Sequence, residues 1–314
     1  MPAQILAKLT GRLSEVAWGR QRAAERLLIA VLAEGHVLIE DVPGVGKTSL
    51  VTRLAQALGV GFQRIQCTPD LLPSDVTGYT YYDPQAQAFT FRPGPVLTNL
   101  LLVDELNRTS PKTQASLLEA MEERQVTVDG VRHPLPWPFM VLATENPVEF
   151  EGTFPLPEAQ LDRFLLRVHL GYPPAEAELG VLQVEGPRQM APELEPCVTP
   201  AELGALVREA QALPVGEPVA RYALDAVQAS REHGALALGV SPRGAIAWIR
   251  AARALAFLRG EAYVTPDHLR ELGEDVLAHR IVLRGDEALH GATAQAIVAE
   301  VLRRTPLPGA GSLR

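Results

Sequence analysis

The chain has 314 residues, 47% of them hydrophobic, and a formal charge of −8 from 29 Lys and Arg against 37 Asp and Glu. That length accommodates two domains with cores of their own, while its apolar runs, such as Leu27 to Ala33 and Leu100 to Val103, fall short of the roughly 20 residues that a bilayer requires. The acidic balance argues against nucleic acid as the main partner, because a counterion-releasing surface needs clustered Lys and Arg.

From the N-terminus, residues 1–9 lack the apolar block of a signal peptide, which predicts a cytoplasmic protein without a membrane span and reduced thiols at Cys67 and Cys197. A helical pattern near 21–34 leads into an apolar strand over 36–40, a glycine turn, and a helix whose apolar face carries Leu50, Val51, Leu54, Ala55 and Leu58. This succession predicts a triphosphate cradle. N–H groups of the turn through Gly44, Val45 and Gly46 wrap the phosphates, and the helix points its positive end at them. Lys47 then supplies a point charge for the outer phosphates and Thr48 a hydroxyl ligand for Mg²⁺. The predicted nucleotide-binding set is Val42, Pro43, Gly44, Val45, Gly46, Lys47, Thr48 and Ser49, joined by Asp104. One departure stands out: the GxxxxGK[ST] pattern asks for glycine where this chain has Asp41.

Further strands are predicted over 61–66, 99–104, 138–143 and 164–170, with a helix starting at Ser110-Pro111, where serine caps and proline takes the first turn. Strands alternating with helices imply a parallel sheet, so phosphate-binding residues belong at the carboxyl ends of its strands. The apolar strand at 100–103 ends in adjacent carboxylates. Asp104 is expected to hold Mg²⁺ through water and Glu105 to activate the attacking water; the alternative is an ordinary strand ending in solvated acids. Past Gly171 to Pro174 strand signals fade and helical spacing takes over, with starts at Thr199-Pro200, Ser241-Pro242 and Thr265-Pro266. We therefore expect an α/β domain over 1–171, a small helical domain over 172–305 and a disordered tail over 306–314. The histidines, His36 among them, and the two isolated cysteines show no metal-ligand spacing.

Four stretches narrow the choice of nucleotide-hydrolysing family: residues 35–48, 68–78, 99–130 and 151–164. Together they closely resemble the MoxR-type AAA+ ATPases, and Asp41 is similar to that family's own variant of the phosphate loop. The resemblance implies a five-stranded AAA+ domain followed by a helical lid, and it assigns further roles. Asn146 resembles the first sensor, although Asn before Pro also begins turns. Arg163 resembles an arginine finger reaching a neighbouring subunit's nucleotide, against the alternative of a surface pair with Asp162. Arg243, in the first turn of a lid helix, resembles the second sensor, against an ordinary pairing with a nearby acid. Arg108 matches a position acting between subunits or in helix-start packing, and Gln66 a switch that hydrogen-bonds Glu105. Val16 and Gly19 fall where the family presents its adenine pocket, here with Ala17 and Trp18 between them.

Two additions to the minimal sheet are expected, one near 71–95 and one near 125–137, the latter a hairpin turning at Asp129-Gly130. The implied activity is Mg²⁺-dependent ATP hydrolysis in a homo-oligomeric ring, a hexamer, with a chaperone-like role in remodelling client proteins or inserting metal or cofactor. A von Willebrand factor A domain protein is the implied co-worker. A metal-chelatase motor subunit, a nucleic-acid translocase and a nucleotide-gated scaffold are the competing readings; the translocase would call for a basic hairpin around Asp129, and this one is not.

Overall fold

The computed structural model describes residues 2–16, 20–41, 45–145, 152–172, 174–175, 179 and 194–308. Two helices open the chain, α1 (Pro2–Val16) and α2 (Gln21–Leu32), followed by β1 (His36–Glu40), α3 (Lys47–Leu58) and β2 (Phe62–Gln66). Then come a short helix α4 (Pro73–Thr77), the hairpin β3 (Gly78–Asp83) and β4 (Ala88–Pro93), strand β5 (Leu100–Asp104) and helix α5 (Pro111–Glu123). A second hairpin, β6 (Gln125–Val128) and β7 (Val131–Pro134), precedes β8 (Met140–Glu145), the short α6 (Glu158–Leu161) and β9 (Phe164–Val168).

Five strands form one sheet in the order β2-β5-β8-β1-β9, and the neighbours β2 and β5, β5 and β8, and β8 and β1 run parallel. Non-consecutive neighbours require crossovers, which the helices supply. The expected strands at 36–40 and 164–170 are present, the second ending at Val168. The strand expected at 138–143 is displaced to 140–145: Pro138 has no N–H to give a ladder, and the first hydrogen bond is donated by the Met140 N–H to the Asn99 carbonyl at 2.8 Å. Strands β5 and β8 are buried along almost their whole length, as a parallel sheet covered on both faces demands. Both additions to the sheet are antiparallel hairpins, and Asp129 and Gly130 take positive φ at the turn of the second (50° and 80°).

Among the described residues the remaining α-helices are α7 (Pro200–Ala212), α8 (Glu217–Glu232), α9 (Pro242–Leu258), α10 (Pro266–Leu277), α11 (Gly285–Leu289) and α12 (Ala294–Arg304). Each hydroxyl-proline pair marks a start. Thr199 and Glu202 form a reciprocal capping box, the Thr199 N–H donating to the carboxylate at 2.8 Å and Thr199 Oγ1 accepting from the Glu202 N–H at 3.3 Å. The bundle also carries one short two-stranded pair, β10 (Leu236–Leu238) with β11 (Val282–Leu283). At its centre Trp248 on α9 is fully buried, and its indole N–H donates to the Leu269 carbonyl at 2.8 Å.

The chain divides into two compact units, and the division is interwoven rather than a single cut. One comprises residues 1–28, 36–155 and 168–204; the other comprises 29–35, 156–167 and 205–314. Among the described residues, no helix is long and apolar enough to cross a membrane.

Candidate active site

At the carboxyl end of β1 the chain turns into α3, whose first residue is Lys47 and whose N-cap is Gly46 at φ 79° and ψ 28°. A side chain in that left-handed conformation costs about 1–2 kcal/mol, so glycine is the residue that fits. Lys47 Nζ donates to the Asp41 carbonyl at 2.8 Å, folding the ammonium back over the loop. Burial pushes its pKa down, and the negative charges of Asp41, Asp104 and Glu105 partly restore it. Lys47 therefore shares one electrostatic neighbourhood with both acids at the end of β5. Val45 is buried, while Thr48 and Ser49 lie half-buried in the first turn of α3.

Asp41 has a structural task of its own. Its carboxylate accepts the N–H groups of Leu170 and of Gly171, the latter at 3.3 Å, and so ties the end of β1 to the segment after β9. Glycine at this position would leave those donors without the carboxylate, which accounts for the departure from the usual phosphate-loop pattern.

Asp104 ends β5 and is 8% exposed. Its Oδ2 accepts from Arg64 Nε at 2.6 Å, and Thr144 Oγ1 lies 3.4 Å from its Oδ1. Glu105 follows in the left-handed region (φ 58°, ψ 51°), an uncommon conformation for a non-glycine residue, with its N–H held by Thr144 Oγ1 at 2.9 Å. Its carboxylate accepts from Gln66 Nε2 at 3.0 Å and from Arg108 Nη1 at 2.9 Å. The hydrogen bond expected between Gln66 and Glu105 is thus present, and Arg108 contacts the same acid within its own chain. The following helix is pinned from below: buried Gln114 Nε2 donates to the carbonyls of Leu106, Thr109 and Phe154.

Arg163 and Arg243 lie in the other unit. Arg163 closes the turn between α6 and β9, its N–H donating to the Gln160 carbonyl at 3.2 Å, and Arg243 is exposed in the first turn of α9. Asp162 connects their two segments. Its Oδ1 accepts from Arg280 Nε at 2.8 Å and its Oδ2 from Ser241 Oγ at 2.9 Å, while the same Ser241 oxygen caps α9 by accepting the Gly244 N–H at 3.0 Å. Asp162 thus pairs with Arg280 and Ser241 within this unit.

Val42, Pro43, Gly44, Asn146, Gly19, Ala17 and Trp18 lie outside the described residues, as do 309–314 of the expected tail; Val16 ends α1. His36 is a core residue. Its Nδ1 accepts the Val141 N–H at 2.9 Å, Nε2 faces the Met121 carbonyl at 3.2 Å, and its ring meets Phe139 edge-on. Cys67 and Cys197 are free and buried; burial, with Asp104 and Glu105 nearby, pushes the Cys67 thiol up to about 12, which leaves it protonated and unreactive. Among the described residues no cluster of three or more His, Cys, Asp or Glu could hold a metal ion by itself.

Two participants escaped the sequence reading, Arg64 and Thr144. Arg64 shares a face of β2 with Gln66, two residues on, and the β2–β5 register sets Gln66 beside Asp104. Thr144 is the polar residue that follows the apolar run Met140 to Ala143, a signal of position but not of partner.

The pattern described as ATPase family associated with various cellular activities (AAA) matches residues 36–166, and that of the AAA lid domain matches 228–301. The chain is 47% identical to the Bacillus subtilis protein YeaC, with 97% of this chain and 95% of that one covered. It is 40% identical to the Mycobacterium tuberculosis chaperone MoxR1 over 92% of this chain and 79% of the relative, and 31% identical to the Methylorubrum extorquens protein MoxR over 95% and 92%. Among solved structures, that of a Cytophaga hutchinsonii protein provisionally described as an ATPase superposes with a TM-score of 0.91 at 37% identity, covering 97% of this chain and 95% of that one. Relatives of this identity over nearly the whole chain, together with the AAA and lid matches, show that the chain belongs to the MoxR-type AAA+ ATPase family.

Proposed function

We propose that the protein is a Mg²⁺-dependent ATPase of the cytoplasm that assembles head to tail into a hexameric ring and remodels or matures client proteins, metal or cofactor insertion included. A von Willebrand factor A domain protein is its proposed co-worker. The observation that carries the reading is the convergence of Lys47, Asp104 and Glu105 on one neighbourhood at the carboxyl edge of the sheet, directly beside the N-terminus of α3. The chaperone role is supported by the name of the Mycobacterium tuberculosis relative.

In this proposal the phosphate loop, from Val42 to Ser49, binds the triphosphate, and Lys47 exchanges the Asp41 carbonyl for the outer phosphates. Mg²⁺, when bound, would neutralise charge on the phosphates. The Thr48 hydroxyl and Asp104 carboxylate suit it, because Mg²⁺ keeps several waters and takes few protein ligands beside phosphate oxygens. Arg64 must release Asp104 for that role. Glu105 accepts the proton of the attacking water, a task for which Gln66 and Arg108 must loosen their hold so that a carboxylate oxygen is free to face the water. Asn146 orients that water, Arg163 of one subunit reaches the neighbour's phosphates, and Arg243 follows the lid.

Trapping separates binding from chemistry. Glu105→Gln is expected to bind ATP in calorimetry at parental affinity and to release phosphate at least a hundredfold more slowly, whereas Lys47→Ala loses binding itself. Undiminished phosphate release by Glu105→Gln would remove the proposed base, and proteins retained on this variant in ATP would identify the client.

A further inference from the structure

Arg20, immediately before α2, is 7% exposed. Its Nε and Nη2 are fully buried and have no hydrogen-bond partner. A Cβ built on Gly46 would sit 3.5 Å from Arg20 Nη1, so the guanidinium lies against the glycine that precedes Lys47. Burial lowers its pKa, and the charge of Asp41 only partly offsets this. Arginine nevertheless remains charged inside proteins. Asp41 does not quench it, for the Asp41 carboxylate is directed at the Leu170 and Gly171 N–H groups.

A buried cation with empty donors is destabilising unless an anion completes it. The neighbouring features at Gly46 select that anion: a helix N-terminus with unsatisfied N–H groups, and Lys47 one residue on. We propose that Arg20 is a second cation of the phosphate cradle, donating from Nε and Nη2 to the inner phosphates of a bound nucleoside di- or triphosphate. The proposal rests on the nucleotide-binding reading of this loop and extends it to a residue outside the loop. Lys47 serves the outer phosphates, so the loss of Arg20 should be felt by ADP as well as by ATP. A guanidinium offers two parallel donors to phosphate oxygens where an ammonium offers a point charge, and lysine should therefore be a poor substitute.

The test compares the parent, Arg20→Met and Arg20→Lys for ADP and ATP affinity by calorimetry and for the thermal midpoint without nucleotide. Arg20→Met should bind ADP about ten- to a hundredfold more weakly while its nucleotide-free midpoint stays level or rises, because a buried unpaired charge has been removed. Arg20→Lys should keep the fold and still lose ADP affinity. If Arg20 is only structural, Arg20→Met will melt earlier and the variants that fold will bind ADP as the parent does; parental ADP affinity in Arg20→Lys alone overturns the proposal, even should Arg20→Met fail to fold. A parent that binds neither ADP nor ATP would instead overturn the ATPase reading itself.

Discussion

Buried Arg280 is 4% exposed and contacts Asp162 through Nε, the Leu165 and Val276 carbonyls and His279 Nε2 through Nη1, and the Phe164 carbonyl through Nη2. Burial pushes its pKa down to about 10 against the opposing pull of Asp162, which leaves it a cation at neutral pH. Its neighbour His279 is equally buried and faces the Phe164 carbonyl at 3.0 Å. Burial first, and then the charge of Arg280, holds the His279 pKa well below the ordinary value of 6.5. The unfolded chain accepts a proton near pH 6.5 that the folded chain refuses. This contribution to stability is therefore complete above that pH and shrinks as pH falls below it, by at most about 1.4 kcal/mol per unit until the folded pKa is reached. His279→Gln keeps a polar head but cannot titrate, so its urea midpoint should fall less steeply than the parent's between about pH 6.5 and pH 5. Parallel curves for the two proteins would show that His279 does not carry the acid sensitivity.

Helix ends carry the link between sequence and site at the next scale. Ser241 caps α9, and the same hydroxyl reaches Asp162 in the turn that holds Arg163. Ser241→Ala removes both interactions and should cost about 1–2 kcal/mol, read as a lower urea midpoint with an unchanged slope, together with slower turnover because the Arg163 and Arg243 segments lose a shared anchor. A stability loss with parental turnover would reduce Ser241 to a cap. The start of α9 was legible because Ser-Pro is a local signal, and so were Lys47, Thr48, Asp104 and Glu105, which sit in contiguous motifs. The connection to Asp162 was not legible, since it joins residues 79 apart in sequence. Arg64 and Thr144 were hidden for the same reason: each meets Asp104 across 40 residues, and the strand order that sets β5 between β2 and β8 is a tertiary fact. Helix α1 illustrates a different loss. Its buried Leu6, Leu9 and Leu13 show helical spacing, but no hydroxyl cap announces the helix in the sequence.

At the scale of the whole molecule, head-to-tail contacts close into rings when the rotation between neighbours allows it, and the proposed ring makes a specific demand on Arg163. An arginine acting across an interface stabilises transition-state charge by about 10³–10⁵ in rate, so Arg163→Ala should bind ATP through its own phosphate loop yet turn over at least a hundredfold more slowly. Lys47→Ala is inactive for the opposite reason: its loop is damaged while its Arg163 remains intact. Mixing the two variants creates interfaces at which an intact Lys47 faces an intact Arg163, and a fraction of parental activity should return. Subunit exchange has to be established independently, for instance by energy transfer between labelled subunits after dilution and reassembly, because preformed rings that do not mix would give the same silence as a finger acting within its own chain. Verified mixed rings that stay as inactive as either parent variant would place Arg163 in its own subunit's site or require more than one intact site per ring; titrating the parent into Lys47→Ala separates these, since the second case gives a loss steeper than proportional. Parental turnover by Arg163→Ala alone would go further, because it would remove the finger and leave the ring without its proposed catalytic reason.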